Sequence, residues 1–310
     1  MKDIERISRD ECLDYFRTYY APNNATIYVS GDFEPRRVLQ LLKKYYGTIK
    51  KGPPPPTVVD AEPEAKGERR AEVRHPAQAP SLMVAWRGPA AKHPDTLTLD
   101  VLQYALTVGQ SSRLTRALVF EQELAVGISV DWSWRIDPGA FLIVMELKPG
   151  ADAAVAERAL QHEVQLICES GLSDHEIDKA KNNLRAHLLR ELATNNGRAH
   201  ALGTYEVMLG SWREGLELPS RYEAITKEQV RAAAAITCGL NVNRPLRSCR
   251  KGRPEIMSAK LQLRALKVPE RVVRQMSNGL TVHVIRRGTL PLVAVRLVIR
   301  AGSAVDRPGQ

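Results

Sequence analysis

The chain has 310 residues, 44% hydrophobic and 26% charged, with a formal net charge of +10. That is a globular composition with room for one or two domains. No apolar run approaches the ~20 residues of a membrane helix. The opening MKDIERISRDE lacks an apolar signal region, so the compartment is left open. The cysteines Cys12, Cys168, Cys238 and Cys249 are scattered, which argues against a disulfide framework or a thiolate zinc site. The positive charge is spread along the chain. Only Arg244–Arg253 forms a basic run, and it reads as a solvated linker rather than a nucleic-acid surface.

Ser8 to Tyr20 reads as a helix opened by the capping box Ser8-Arg9-Asp10-Glu11, with Leu13, Phe16 and Tyr20 at helical spacing. Ala25–Gly31 is β-rich. Pro35 then opens a helix whose stripe is Val38, Leu41, Leu42 and Tyr45. A single strand makes no sheet, so this segment is expected to add to partners outside the chain. Gly52-Pro53-Pro54-Pro55-Pro56 begins a stiff connector that runs to about Glu68.

Arg69–Val73 and Ser81–Trp86 read as strands. Leu97–Leu147 is the central unit: a helix through Leu99, Leu102, Tyr104 and Leu106, a break at Gly109, and a second helix capped by Ser111 or Ser112. A hairpin follows. Val126, Ile128, Val130 and Trp132 are expected on one side, and Ala140–Leu147 answers across Asp137-Pro138-Gly139. Asp152–Ser170 is a helix with Val155, Ala159, Val164 and Ile167 inward. Ser173-Asp174-His175-Glu176 is a second capping box. It opens a long helix through Ile177, Ala180, Leu184 and Leu188 that is expected to end at Asn195-Asn196-Gly197. A helix over Arg198–Trp212 comes next, and Thr226-Lys227-Glu228-Gln229 caps one more. Where a closing strand is expected, Cys238–Gly252 reads CGLNVNRPLRSCRKG and is irregular. Asn278-Gly279 marks a tight turn before two strands, Leu280–Ile285 and Leu292–Ile299. The fold class is α/β (α+β): a two-layer sandwich of a mixed, largely antiparallel sheet with helices on one face.

Three stretches together resemble the pitrilysin/insulinase family of zinc metallopeptidases, which includes the mitochondrial processing peptidases. They are Tyr15–Gly47 (YFRTYYAPNNATIYVSGDFEPRRVLQLLKKYYG), Gly109–Leu114 (GQSSRL) with Glu123-Leu124-Ala125, and Ser277–Gly302. The resemblance implies this layout: residues 1–52 are the tail of a catalytic-type domain, 53–68 a linker, 69–248 a complete non-catalytic domain, 249–265 a linker, and 266–310 the first strands of a further domain. It also implies a metallohydrolase-like sandwich. That family works through H-x-x-E-H, with two histidine zinc ligands and a water-activating glutamate. None of His75, His93, His162, His175, His187, His200 or His283 begins that motif. No catalytic, cofactor or metal residue is therefore assigned, and zinc is expected in the full-length family enzyme rather than in this chain. Where the family's last non-catalytic domain carries an Arg and a Tyr that hold substrate, the matching positions here are Val119 and Val126.

Other arrangements have simpler explanations. His187 with Glu191, and His162 with Glu163, supply too few ligands for zinc and suit solvated helix faces. His283 sits among valines on a strand. Trp132 and Trp134 suit half-buried sheet positions better than a peptide-stacking surface, and Ser111-Ser112 lacks a G-x-S-x-G elbow. The function expected is that of a non-catalytic segment of a zinc metalloendopeptidase. It would shape the chamber for short or unfolded polypeptides and support the catalytic domain, with the outer edge of the 125–147 hairpin as the candidate surface for substrate. The alternative is a stand-alone inactive partner or scaffold subunit beside an active one.

Overall fold

In the computed structural model, residues 5–56, 67–73, 79–238, 271–286 and 293–299 are described. In chain order the elements are α1 (Arg9–Tyr19), β1 (Ala25–Gly31), α2 (Pro35–Tyr46), β2 (Ser81–Gly88), α3 (Thr96–Thr107), a π-helical segment (Thr115–Glu121), β3 (Ala125–Asp131) and β4 (Gly139–Leu147). After them come α4 (Ala153–Ser170), α5 (Asp174–Ala193), α6 (Asn195–Leu209), α7 (Trp212–Leu216), α8 (Leu218–Glu223), α9 (Lys227–Cys238), β5 (Arg271–Gln275), β6 (Thr281–Arg286) and β7 (Val293–Ile299). They divide into two units, one within Met1–Pro55 and Asn241–Ile299, the other within Pro56–Leu240. The Cys238–Gly252 irregularity, the Arg244–Arg253 run and most of the Pro-rich connector lie outside the described residues.

The larger unit is built on an antiparallel sheet in the order β2-β4-β3. Strand β4 alternates as its sequence dictates: Phe141, Ile143, Met145 and Leu147 are fully buried, while Ala140 and Glu146 are exposed. The buried set pairs with Leu82, Val84 and Trp86 on β2 and with Ala125, Ile128 and Val130 on β3. Helices α3, α4 and α9 and the π-helical segment pack on the sheet. Met83 on the opposite face is exposed. The result is the expected two-layer α/β sandwich.

Three capping boxes stand as the sequence predicts, each with reciprocal bonds: Ser8 with Glu11, Ser173 with Glu176, and Thr226 with Gln229. Several expectations need correction. Arg69–Val73 is not a strand. Arg70 instead pairs with Glu68 and Glu157, and Val73 is 86% exposed. A bulge at Ala125/Gly127 turns Val126 out to 58% exposure and puts Ala125 in the core in its place. In α4 the inward stripe is Ala156, Leu160, Val164 and Ile167, so Val155 points to solvent. In α1, Phe16 and Tyr20 stack on each other at the surface, and Tyr19 is the buried residue.

Asn195-Asn196-Gly197 opens α6 rather than ending α5, because buried Arg198 closes the corner. Its Nε donates to the Leu192 carbonyl at 2.6 Å and a terminal nitrogen donates to the Ala193 carbonyl at 3.0 Å. Those are the unpaired carbonyls a helix leaves at its C-terminus. Ser111 and Ser112 do not cap the following helix through their side chains. Ser112 Oγ donates to the Gly109 carbonyl at 2.6 Å and lies 2.9 Å from Thr115 Oγ1.

The smaller unit corrects the expectation that β1 needs strands from outside the chain. Its sheet runs β5-β6-β1-β7, with β1 parallel to β6 and antiparallel to β7. Ile27, Val29, Leu42, Leu280, Val282 and Val284 form one core. Each such side chain stabilises by about 1.5–3 kcal/mol when fully buried. The predicted Asn278-Gly279 turn joins β5 to β6. Gly279 takes φ +84°, and the Asn278 amide donates to the carbonyls of Tyr46 and Ile49 at 3.0 and 3.2 Å.

A Cβ added at Gly88 would meet the Trp132 ring at 2.2 Å. Gly88→Ala should therefore cost about 1–3 kcal/mol through overpacking. All four tryptophans, Trp86, Trp132, Trp134 and Trp212, lie in the larger unit. A lower urea midpoint by tryptophan fluorescence is the expected result.

Candidate functional site

Two places in the larger unit bear on function: the outer edge of the β3–β4 hairpin, and the cleft where the GQSSRL turn meets the start of α5.

Strand β3 is an edge strand, and a free edge is a template for an extended polypeptide. This edge is covered at one end and interrupted at the other. At Val130 the outward carbonyl accepts from Gln103 Nε2 at 3.0 Å, and the outward N–H donates to Thr107 Oγ1 at 3.3 Å. Both side chains come from α3. At the other end the bulge at Ala125/Gly127 breaks the register. At Val130 this edge therefore offers no free backbone group to an extended polypeptide. Among the described residues β2, the other edge of the same sheet, likewise has no outer partner strand.

Past β3, Trp132 is buried against Phe141, with ring centroids 6.2 Å apart. Trp134 Nε1 donates to both Asp100 oxygens at 3.1 and 3.0 Å. The Tyr222 hydroxyl donates to the same carboxylate at 2.6 Å. Neither tryptophan presents a stacking platform. Sequence reading missed Asp100. Its signal is an acid inside the apolar run Leu97–Leu102 of a helix, a position that normally requires partners.

The cleft has a volume of about 310 Å³ and is lined by Ser111, Arg113, Arg116, Ser173, His175, Glu176 and Lys179. Gly109 turns the chain out of α3 at φ +91°, which presents Arg113 to α5. Arg113 and Glu176 form a two-pronged pair at 2.6 and 2.7 Å. The same carboxylate accepts from the Ser173 N–H and hydroxyl at 2.8 and 2.7 Å. Burial raises the Glu176 pKa, but Arg113 and Ser173 outweigh it and hold the carboxyl down at about 2. Arg116 pairs with Glu121 in the open, and Lys179 donates to the Ser111 hydroxyl at 2.6 Å. This is a structural clamp between two helices. Its arginines are already matched by carboxylates.

His93, His162, His175 and His187 are exposed, with His175 and His187 well separated along α5, and His187 lies edge-on to Tyr104 at 6.4 Å. His283 is buried on β6, stacked on Tyr28 at 4.6 Å. His75 lies outside the described residues. Among the described residues no three His, Cys, Asp or Glu side chains gather as metal ligands, so these residues do not fit a zinc ion. No helix among them is long and apolar enough to cross a membrane.

The model of the peptidase M16 inactive domain matches residues 6–184. A zinc protease of Helicobacter pylori, PqqE, is 27% identical over 67% of this chain and 47% of its own length. A probable mitochondrial-processing peptidase subunit beta of Schizosaccharomyces pombe is 24% identical over 76% of this chain and 53% of its own length. The chain thus spans about half the length of these curated relatives. Among solved structures, a protease from Helicobacter pylori superposes with a TM-score of 0.72 at 23% identity, covering 77% of this chain and 58% of that one. A peptidase M16 inactive domain from Pseudomonas fluorescens gives 0.60 at 21% identity, covering 78% and 56%. These two superpositions establish the shared fold.

Replacing Glu176 with Gln should remove a charge-assisted bond and lower stability at neutral pH by about 1.5–3 kcal/mol. The wild-type carboxyl is depressed in the folded state, so its contribution is present above pH 4.5 and is lost as pH falls toward 2. Urea titrations at several pH values should show that acid-side loss in the wild type and not in Glu176→Gln.

Proposed function

The chain belongs to the peptidase M16 family, matched through its inactive domain, and on that premise we propose that it forms a non-catalytic wall of a zinc endopeptidase acting on short or unfolded polypeptides. The larger unit supplies a rigid sandwich, braced by the Arg113–Glu176 clamp, against which zinc-bearing domains pack. Cleavage belongs to those domains.

The observation that carries this reading lies in the smaller unit. Val295 and Leu297 on β7 stand in register with Val29 and Ile27, which are fully buried under α2. The β7 pair is 60% and 50% exposed. Phe16, Tyr20, Leu41, Tyr45 and Tyr46 are exposed in the same unit. An apolar sheet face that continues beyond its covering helix is a surface awaiting another element. The remainder of a catalytic-type domain, carrying H-x-x-E-H, is the partner the family supplies.

The purified 310-residue chain should retain no stoichiometric zinc after dialysis and should leave an unstructured peptide intact. Metal analysis and mass spectrometry of the peptide check both. Chelator-sensitive cleavage by a homogeneous sample would overturn the reading.

A further inference from the structure

The two edges of the larger unit's sheet are finished differently. On β3 the outward groups of Val130 are taken by Gln103 and Thr107, and a bulge breaks the ladder at Ala125/Gly127. Strand β2 has neither device. Its pairing with β4 runs from Ser81 to Gly88 without a shift of register. Just ahead of that ladder the Leu147 N–H donates to the Pro80 carbonyl at 3.0 Å. By the alternation of an antiparallel pair, Leu82, Val84 and Trp86 then bond to β4, while Ser81, Met83, Ala85 and Arg87 turn their backbone groups outward. Among the described residues no strand meets that edge. The strand carries no Lys, no Pro and no inward-pointing charge, which are the usual guards of a free edge. Met83 is 64% exposed, and Leu82, Val84 and Trp86 are only half-buried.

We propose that β2 pairs antiparallel with β2 of a second copy of this chain, about a two-fold axis through Val84, and so joins two three-stranded sheets into one. An isologous contact of this kind requires the strand to complement itself. Outward-turned residues bond only to one another. The pairing that uses the whole strand sets Ser81 against the second copy's Arg87, Met83 against its Ala85 and Leu82 against its Trp86. On the helix-covered face, apolar side chains then meet apolar ones, with Val84 against Val84 on the axis. On the open face the large Met83 meets the small Ala85, and no like charges stand opposite each other.

Charge favours the same register. Glu146 on β4 stands beside Ser81 on the open face, and both Glu146 and Arg87 are exposed. The second copy's Arg87 therefore comes to lie two strand spacings from Glu146, about 10 Å between Cα atoms, with only the small Ser81 between them. Extended Arg and Glu side chains span that gap, and the two-fold axis supplies the ion pair twice. A slide of two residues either way moves Arg87 off Ser81 and loses both pairs. The contact lies wholly in the larger unit, so it stands or falls independently of the surface over Val295 and Leu297.

Sedimentation equilibrium of the intact chain tests this. From about 1 to about 100 μM the mass should rise from 34.5 kDa toward twice that value. Ala85→Pro removes an outward donor at a position where an edge strand tolerates proline, and should leave a monomer with an unchanged far-UV spectrum. Arg87→Glu and Glu146→Arg should each weaken the dimer about tenfold, and the two together should restore it. That swap keeps the test decisive if Ala85→Pro folds poorly. Val84→Cys, treated with oxidised glutathione, should give a disulfide between the two positions 84, because a non-hydrogen-bonded pair holds its Cα atoms about 4.5 Å apart. Peptide mapping separates that bridge from any through Cys12, Cys168, Cys238 or Cys249. A mass of 34.5 kDa throughout, a dimer unaffected by Ala85→Pro, or a double swap that restores nothing would each overturn the pairing.

Discussion

Everything in the larger unit depends on the inner face of β4. Phe141, Ile143, Met145 and Leu147 alternate with residues that face away, and each is wholly removed from water. Four such side chains stabilise by several kcal/mol only if both neighbouring strands and a helical layer stay in place. The requirements propagate from there. Strand β2 must bring Leu82, Val84 and Trp86 into register, and Gly88 must leave room for the Trp132 ring. Helix α3 must lie close enough that Gln103 and Thr107 reach the Val130 backbone and Asp100 reaches Trp134. The clamp between Arg113 and Glu176 then fixes α5 to the segment that follows α3.

Features that local chemistry decides were legible in the sequence. All three capping boxes formed, because a serine or threonine three residues ahead of a glutamate or glutamine satisfies backbone donors without help from distant parts of the chain. The Asn278-Gly279 turn formed for a similar reason. What failed depended on distant partners. The bulge that expels Val126 answers the register with β4, which no pattern within β3 reveals. Arg69–Val73 has strand-like alternation, but Arg70 is held by Glu68 and Glu157 instead of a sheet. The α5–α6 corner was misplaced because Asn-Asn-Gly reads as a helix end, whereas a buried arginine beyond it caps the preceding helix. The pairing of β1 with β6 and β7 joins segments more than two hundred residues apart, and periodicity carries no information about that.

The functional assignment had a similar division. The family was visible in Tyr15–Gly47, GQSSRL and Ser277–Gly302 because those stretches combine turn glycines and strand patterns in a fixed order. The GQSSRL arginine proves to be a brace rather than a reactive group: both its prongs are spent on Glu176. The hairpin edge, which looked like a place for substrate, is occupied by α3 side chains at Val130. The chemistry-bearing residues of this chain are thus mostly engaged in holding its own elements together. In the smaller unit Val295 and Leu297 extend the apolar face of the sheet beyond its buried core. That distribution suits a segment whose work is to carry and position other domains.

The most direct measurement is the native product recovered with an antibody against α4, followed by its intact mass and peptide sequencing. The account predicts an H-x-x-E-H helix in the recovered material, either within a polypeptide heavier than 34.5 kDa or in a tightly associated subunit. A product of 34.5 kDa recovered alone, with no zinc-motif polypeptide bound to it, would contradict it.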